Sequence, residues 1–292
     1  MSSAKPLPAD DADLVRSLGV PTNGTVYDLS SGWWRHMPTF DGYPRFEVVT
    51  YNSPQGQRVE RRFPFSEDAA NDVGFGYVSE LVSGSLHTGT HIDALCHVTC
   101  GSEDEWHGSA SATAELGNYG ATRGDASELA PIIGRGVLLD VPGVLGLEVL
   151  PPHFAIGEEH LRRAAEAAGI TIAASDIVLV RTGQMKFWPD IAKITESGGG
   201  SGVALDGARW LLSHGVRYVG ADTMSFEVRP SEVEGNPLPV HLLLLQQHGV
   251  HIMEWVDCEE LAADGVAEFL FIGLPLTIRG GTGSPLRPIA VV

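Results

Sequence analysis

A helical stretch stopped by glycine and followed at once by a strand occurs three times, and this pattern limits the fold more than any other feature. The three junctions read GI-TIAASDIVLV from Gly169, GV-RYVGADT from Gly215 and GV-HIMEW from Gly249. Gly takes the left-handed backbone that ends a helix, so each junction predicts a helix stop. The expected helices cover 157–169, 205–215 and 240–248. The expected strands cover 136–141, 176–181, 218–220 and 269–278. The apolar runs GVLLDV and DIVLVR suit strands buried on both faces. Helices alternating with strands in this way predict an α/β fold.

The first third of the chain is less regular. Residues 1–20 read as a polar, flexible lead-in with a short helix at 11–18. Strands are expected at 26–30, 45–51, 57–65 and 76–83, an aromatic loop at 32–44, and a surface excursion at 101–130. Without an internal repeat or linker, residues 21–292 are read as one domain. The chain has 292 residues, 43% hydrophobic and 19% charged, enough to bury a core. Against 19 Lys and Arg stand 37 Asp and Glu, a net charge of −18, which disfavours nucleic-acid binding through a basic surface. The apolar runs are too short to span a membrane, and the start of the sequence lacks an apolar signal segment. Three cysteines make no disulfide framework, so a cytoplasmic protein is expected.

The chemistry concentrates in Leu86-His87-Thr88-Gly89-Thr90-His91-Ile92-Asp93-Ala94-Leu95-Cys96-His97. Four metal-ligand side chains fall within eleven residues at spacings of 4, 2 and 4. A straight strand would put all four on one face but spread them over roughly 33 Å. A straight helix would pair His87 with His91 and Asp93 with His97 on opposing faces. The chain must therefore bend, and Gly89 supplies the freedom. A bent segment can bring two His nitrogens and a carboxylate oxygen to one cation at about 2.0–2.2 Å. A zinc site built from Cys96, Cys100, His97 and His107 is disfavoured, because the Cys spacing fits structural zinc poorly and no second Cys pair follows.

This segment resembles the HxGTHxDxxxH signature of the cyclase family, which includes kynurenine formamidase, isatin hydrolase and a manganese-dependent dienelactone hydrolase. The resemblance covers most of the chain. Asp28-Leu29-Ser30, Met37-Pro38 and Gly42-Tyr43-Pro44 are similar to the family's N-terminal segment. Val219-Gly220-Ala221-Asp222-Thr223 resembles its VGxDT stretch, and 279–285 its C-terminal loop. The resemblance implies a mixed-sheet swivelling β/β/α fold and a divalent-metal hydrolase. It implies that His87, His91 and Asp93 hold the metal, with His97 as general acid/base. It also implies that His241 and Glu254 complete the site or hold a second ion. His and carboxylate ligands without thiolate suit Mn or Zn.

Two His and a carboxylate leave positions open for water, and a nearby His titrates in the range needed to move a proton. The set supports hydrolysis of an amide, imide or lactone of a small substrate. No G-x-S-x-G elbow occurs, which argues against a serine hydrolase. A non-hydrolytic cyclase or a metal-stabilised binding protein is the alternative. Asp222 and Ser225 follow a short strand and are candidates to orient a ligand or touch substrate, with a turn role for Asp222 equally open. Among the loop aromatics, Trp33 and Phe75 are candidates to line a pocket for a flat substrate. His248 is read as a helix-end residue, His251 as exposed, and 279–285 as a surface turn. A homodimer or homotetramer is expected.

Overall fold

The computed structural model describes residues 17–61 and 73–292. Nine strands form the main sheet: β1 (Val26–Asp28), β2 (His91–Asp93), β3 (Ile132–Asp140), β4 (Ile177–Arg181), β5 (Tyr218–Ala221), β6 (His251–Glu254), β7 (Glu268–Gly273), β8 (Gly283–Pro285) and β9 (Ile289–Val291). Their order across the sheet is β1-β9-β7-β3-β4-β5-β6-β2-β8. Strands β3 to β6 are parallel, and both flanks of this block are antiparallel. The fold is mixed α/β, as the alternation of helices and strands predicts.

Side-chain alternation along the parallel strands feeds two cores. Val137, Leu139, Val178, Val180 and Ile252 face one side, where they meet Leu161, Ala164, Ala208, Leu211 and Leu244 from helices. Leu138, Ile177, Leu179 and Met253 face the other side, against Leu29, Leu261, Phe269 and Phe271. Burial on both faces explains the uninterrupted apolar runs of β3 and β4. The expected helices are Glu158–Ala167, Leu205–Ser213, and Pro239–His241 continuing as the π-helical turn Leu242–Gln247. Gly169, Gly215 and Gly249 follow them with φ of 66°, 71° and 65°.

Several expectations are corrected. The strand placed at 57–65 is a helix, Pro54–Glu60, over its described part. Ser53 caps it by accepting from the Gly56 amide, and Pro54 takes the first turn, where its missing N–H costs nothing. The remainder of that segment, most of the helix placed at 11–18 and most of the lead-in lie outside the described residues. The 101–130 segment is largely exposed, as expected, but it is anchored to the core. Its hairpin Glu105–Trp106 with Ala110–Ser111 buries Trp106 and Ala110, together with Ala121 and Ala126, against Ala94 and Cys96. The supposed surface turn at 279–285 includes β8, which pairs with β2.

Candidate metal centre

Strand β2 is only three residues long, so His91 and Asp93 share one face while the chain bends sharply on either side. Gly89 makes the first bend at φ 62°, and a Cβ there would lie 2.7 Å from Met37 Cε and Ser31 Oγ. Ser31 and Thr90 lock that bend by exchanging hydrogen bonds: each backbone amide donates to the other's hydroxyl, at 2.7 and 2.8 Å. Trp33 donates its indole N–H to Thr88 O at 2.9 Å. The bend carries His87 back over the strand, where its Nδ1 lies 2.9 Å from Asp93 Oδ1. His97 stacks on the His87 ring at 3.9 Å between centroids.

The antiparallel register of β6 with β2 sets Glu254 opposite His91. His241 enters from the first turn of the helix that starts at Pro239. Its Nε2 lies 3.2 Å from Glu254 Oε1 and 3.8 Å from Asp93 Oδ2. Five of the residues singled out in the sequence therefore converge around Asp93: His87, His91, His97, His241 and Glu254. Two sets of three could hold an ion, His87 with Asp93 and His97, and Asp93 with His241 and Glu254, and His91 flanks both through Asp93. Neither group contains a cysteine, and burial pushes the Cys96 thiol up to about 12.

The hydrogen bonding of this cluster is incomplete in an informative way. His91 Nδ1 donates to Gly89 O at 2.7 Å, which leaves Nε2 as a lone pair. That lone pair faces Asp93 Oδ1 at 3.6 Å and Glu254 Oε2 at 3.5 Å. Both His91 Nε2 and Asp93 Oδ2 are buried without a hydrogen-bond partner. A buried lone pair among carboxylate oxygens is repulsive unless a cation sits between them. Donor atoms 2.0–2.2 Å from one tetrahedral ion lie about 3.4 Å apart, so these separations fit a shared divalent ion. Electrostatics agree. His97 is half-buried, and burial outweighs Asp93 to hold its imidazole down at about 3, hence neutral. For His241, burial pulls the other way but Glu227 and Glu254 prevail and raise it to about 10. The two imidazoles thus part ways: the positive charge rests on His241, between Glu227 and Glu254, and not on His97.

Three supporting residues carried no functional expectation. Glu227 is buried and accepts from His241 Nδ1 at 2.6 Å, as well as from the amides of Val240 and His241. This fixes the tautomer so that Nε2 faces the cluster, a common way to orient a metal-binding histidine. Its sequence signal was a lone acid between Phe226 and Val228. Thr282 Oγ1 lies 2.9 Å from His87 Nε2. His251 is half-buried rather than exposed, and its Nδ1 lies 2.8 Å from Asp93 O. Both come from distant strands that no local pattern pairs with β2.

Other expectations are redistributed. Asp222 does not contact the histidines. Its two oxygens accept from Thr182 N, Thr182 Oγ1 and Gly183 N at 2.7–2.8 Å, tying the end of β5 to the end of β4. Ser225 lines the cavity over the cluster, a space of about 140 Å³. Trp33 and Phe75 are not among its lining residues; Trp33 braces the bend and Phe75 stacks with Tyr77. The aromatic walls are Phe40, Tyr43 and Trp255.

Fold and site together define a class: mixed α/β enzymes with a buried His/carboxylate centre at the carboxyl ends of their strands. Residues 27–228 match the family model described as "Putative cyclase", and the chain belongs to the cyclase family. Kynurenine formamidase of Bacillus cereus (strain ATCC 10987 / NRS 248) is 25% identical over 246 residues, covering 83% of this chain and 91% of that protein. Kynurenine formamidase of Bacillus thuringiensis (strain Al Hakam) is 27% identical over 232 residues, covering 77% and 87%. A crystal structure of a novel cyclase superposes with a TM-score of 0.82 at 25% identity, covering 97% of this chain and 94% of the other. Isatin hydrolase A from Labrenzia aggregata shares the fold, with a TM-score of 0.65 at 20% identity and coverage of 97% and 98%. The chain is an enzyme, a hydrolase. Among the described residues no helix is long and apolar enough to cross a membrane.

Proposed function

We propose that the chain is a divalent-metal-dependent hydrolase that opens an amide, imide or lactone bond of a small cyclic or aromatic substrate. The observation that carries this reading is the buried, unpartnered pair of His91 Nε2 and Asp93 Oδ2 among further His and carboxylate donors. His87, His91, Asp93, His241 and Glu254 are the residues that would hold one or two ions. Imidazole and carboxylate without thiolate suit Mn or Zn. When bound, such an ion lowers the pKa of water from 15.7 toward about 7 and polarises a carbonyl.

The chain's own residues supply the rest. His97 lines the cavity beside the residues that would hold the ion, so its imidazole nitrogen is placed to accept a proton from the attacking water. The same nitrogen returns the proton to the departing amine or alkoxide. Stacking on His87 fixes the plane of the His97 ring. Phe40, Tyr43 and Trp255 line the cavity and give it apolar surface for a flat substrate. The kynurenine formamidase relatives support the amide as the bond attacked.

The test is elemental analysis of wild type beside His91→Ala, then chelation and re-addition of Zn or Mn with an arylformamide, isatin and a dienelactone. One or two ions lost in the variant, with turnover restored by one metal, is the expected result. A metal-free, fully folded wild type would overturn the site. Bound metal with no turnover would instead favour a non-hydrolytic cyclase. We also place the chain in the cytoplasm, with a small molecule as its substrate and no nucleic-acid or membrane partner. A homodimer or homotetramer is supported by the hairpin of Glu47–Asn52 with Ser79–Ser83, which leaves Val49, Tyr51, Leu81 and Val82 exposed. Light scattering checks this.

A further inference from the structure

The cavity over the metal centre is about 140 Å³, close to the roughly 150 Å³ that encloses a benzene molecule. It holds the reacting group of a substrate and little more. A second cavity of about 280 Å³ adjoins it, and the two share Phe40, Met224, Ser225 and Arg229. Ile191, Ile194 and Met224 give the second cavity apolar walls. A substrate larger than one ring has this space open to it.

Two polar groups stand where the cavities meet. Ser225 Oγ is buried and has no hydrogen-bond partner. Arg229 has no ion-pair partner among the described residues; its guanidinium lies 5.7 Å from the centroid of the Phe40 ring, which steadies it. Glu227 also borders the second cavity, but its carboxylate already accepts from Val240, His241 and the His241 ring. In a chain of net charge −18 an unpaired guanidinium is a local attractor for anions. One planar fork with one hydroxyl matches the two oxygens of a carboxylate.

We propose that the second cavity receives an apolar, carboxylate-bearing arm of the substrate, and that Arg229 reads its charge with Ser225 beside it. This deepens the hydrolase reading and rests on it for which end of the substrate reacts. The substrate class is an amide, imide or lactone that also carries a free carboxylate on an aryl or branched alkyl arm.

The test uses metal-loaded protein and two matched pairs. 4-Phenylbutyrate and 4-phenylbutyramide are compared by calorimetry, and N-formylphenylalanine and N-formylphenylalaninamide by kinetics. Wild type is expected to favour each acid at least about tenfold, in Kd and KM rather than in kcat. Arg229→Met is expected to reduce that preference to within about twofold, and Arg229→Lys to restore part of it, since a point charge replaces a fork. Ile191→Trp, which fills the second cavity, weakens all four. An acid preference unchanged in Arg229→Met would overturn the proposal, because the carboxylate would then sit on the metal. Equal binding of acid and amide by wild type would overturn it as well. Discrimination in binding without hydrolysis of either formyl compound would support the recognition pocket and place the scissile bond in the arylformamide, isatin or dienelactone class instead.

Discussion

Two buried aspartates sit at neighbouring places in the sheet and behave in opposite ways. Asp222 follows β5, and three N–H and O–H donors saturate its carboxylate. Asp93 ends β2, and its Oδ2 has no partner although it is equally buried. Burial of a carboxylate costs several kcal/mol in either place. At Asp222 the cost is met from within the chain, so the residue holds two strand ends together. At Asp93 the cost is left open among four imidazoles and a second carboxylate, and only something brought from outside closes it. A saturated acid marks architecture, and an unsaturated one marks a site.

Substitutions can break this contrast. The largest effect is expected for Asp93→Asn and His91→Ala, each lowering kcat/KM by about 10³-fold or more and emptying the centre of metal, read by steady-state kinetics and elemental analysis. Glu227→Gln should leave the fold intact but loosen His241, lowering metal affinity by about 10–100-fold in a chelator competition. Asp222→Ala should cost about 2–4 kcal/mol of stability in chemical denaturation while the metal content stays at the wild-type level. An Asp222→Ala protein that folds normally but has lost its metal would erase the distinction.

The smallest effect concerns pH. Burial raises the Asp222 carboxyl to about 7, against hydrogen bonds from Thr182 and Gly183 that lower it. A carboxyl raised above its unfolded value contributes stability that is fully present below about pH 4 and lost as pH rises through about 7. Wild type should therefore lose stability relative to Asp222→Asn across that window. Melting of the two proteins side by side at pH 4.5, 6 and 7.5 checks the sign.

The parts of this molecule legible in its sequence are those set by neighbours along the chain. The helix–glycine–strand junctions at Gly169, Gly215 and Gly249 need only local backbone preferences, and they stand where the sequence puts them. The bend at Gly89 followed from the spacing of His87, His91 and Asp93, since no straight element collects them. What escaped notice depends on partners far away. Thr282 reaches His87 only because β8 lies beside β2, and His251 reaches the Asp93 carbonyl only because β6 flanks β2 on the other side. Asp222 follows a strand as many site residues do, and nothing local says that its donors would be Thr182 and Gly183. The helix at Pro54 differs in kind: its Ser-Pro start is a local helix signal, while the β-branched Val59 locally favours a strand.

The placement of β2 between β6 and β8 has a consequence for how the enzyme is made. Residues 87–97 emerge early from the ribosome, but their partners in β6 and β8 lie 161 to 194 residues further along the chain. Contacts of such sequence separation form late, because loop closure must precede them. During synthesis the histidines of 87–97 are present without the groups that would set their tautomers and distances. If the site holds a metal as proposed, a nascent or truncated chain would offer only a weak, unselective set of ligands, and discrimination among ions would begin once the C-terminal strands have docked. Metal choice in the proposed hydrolase would be a property of the finished chain.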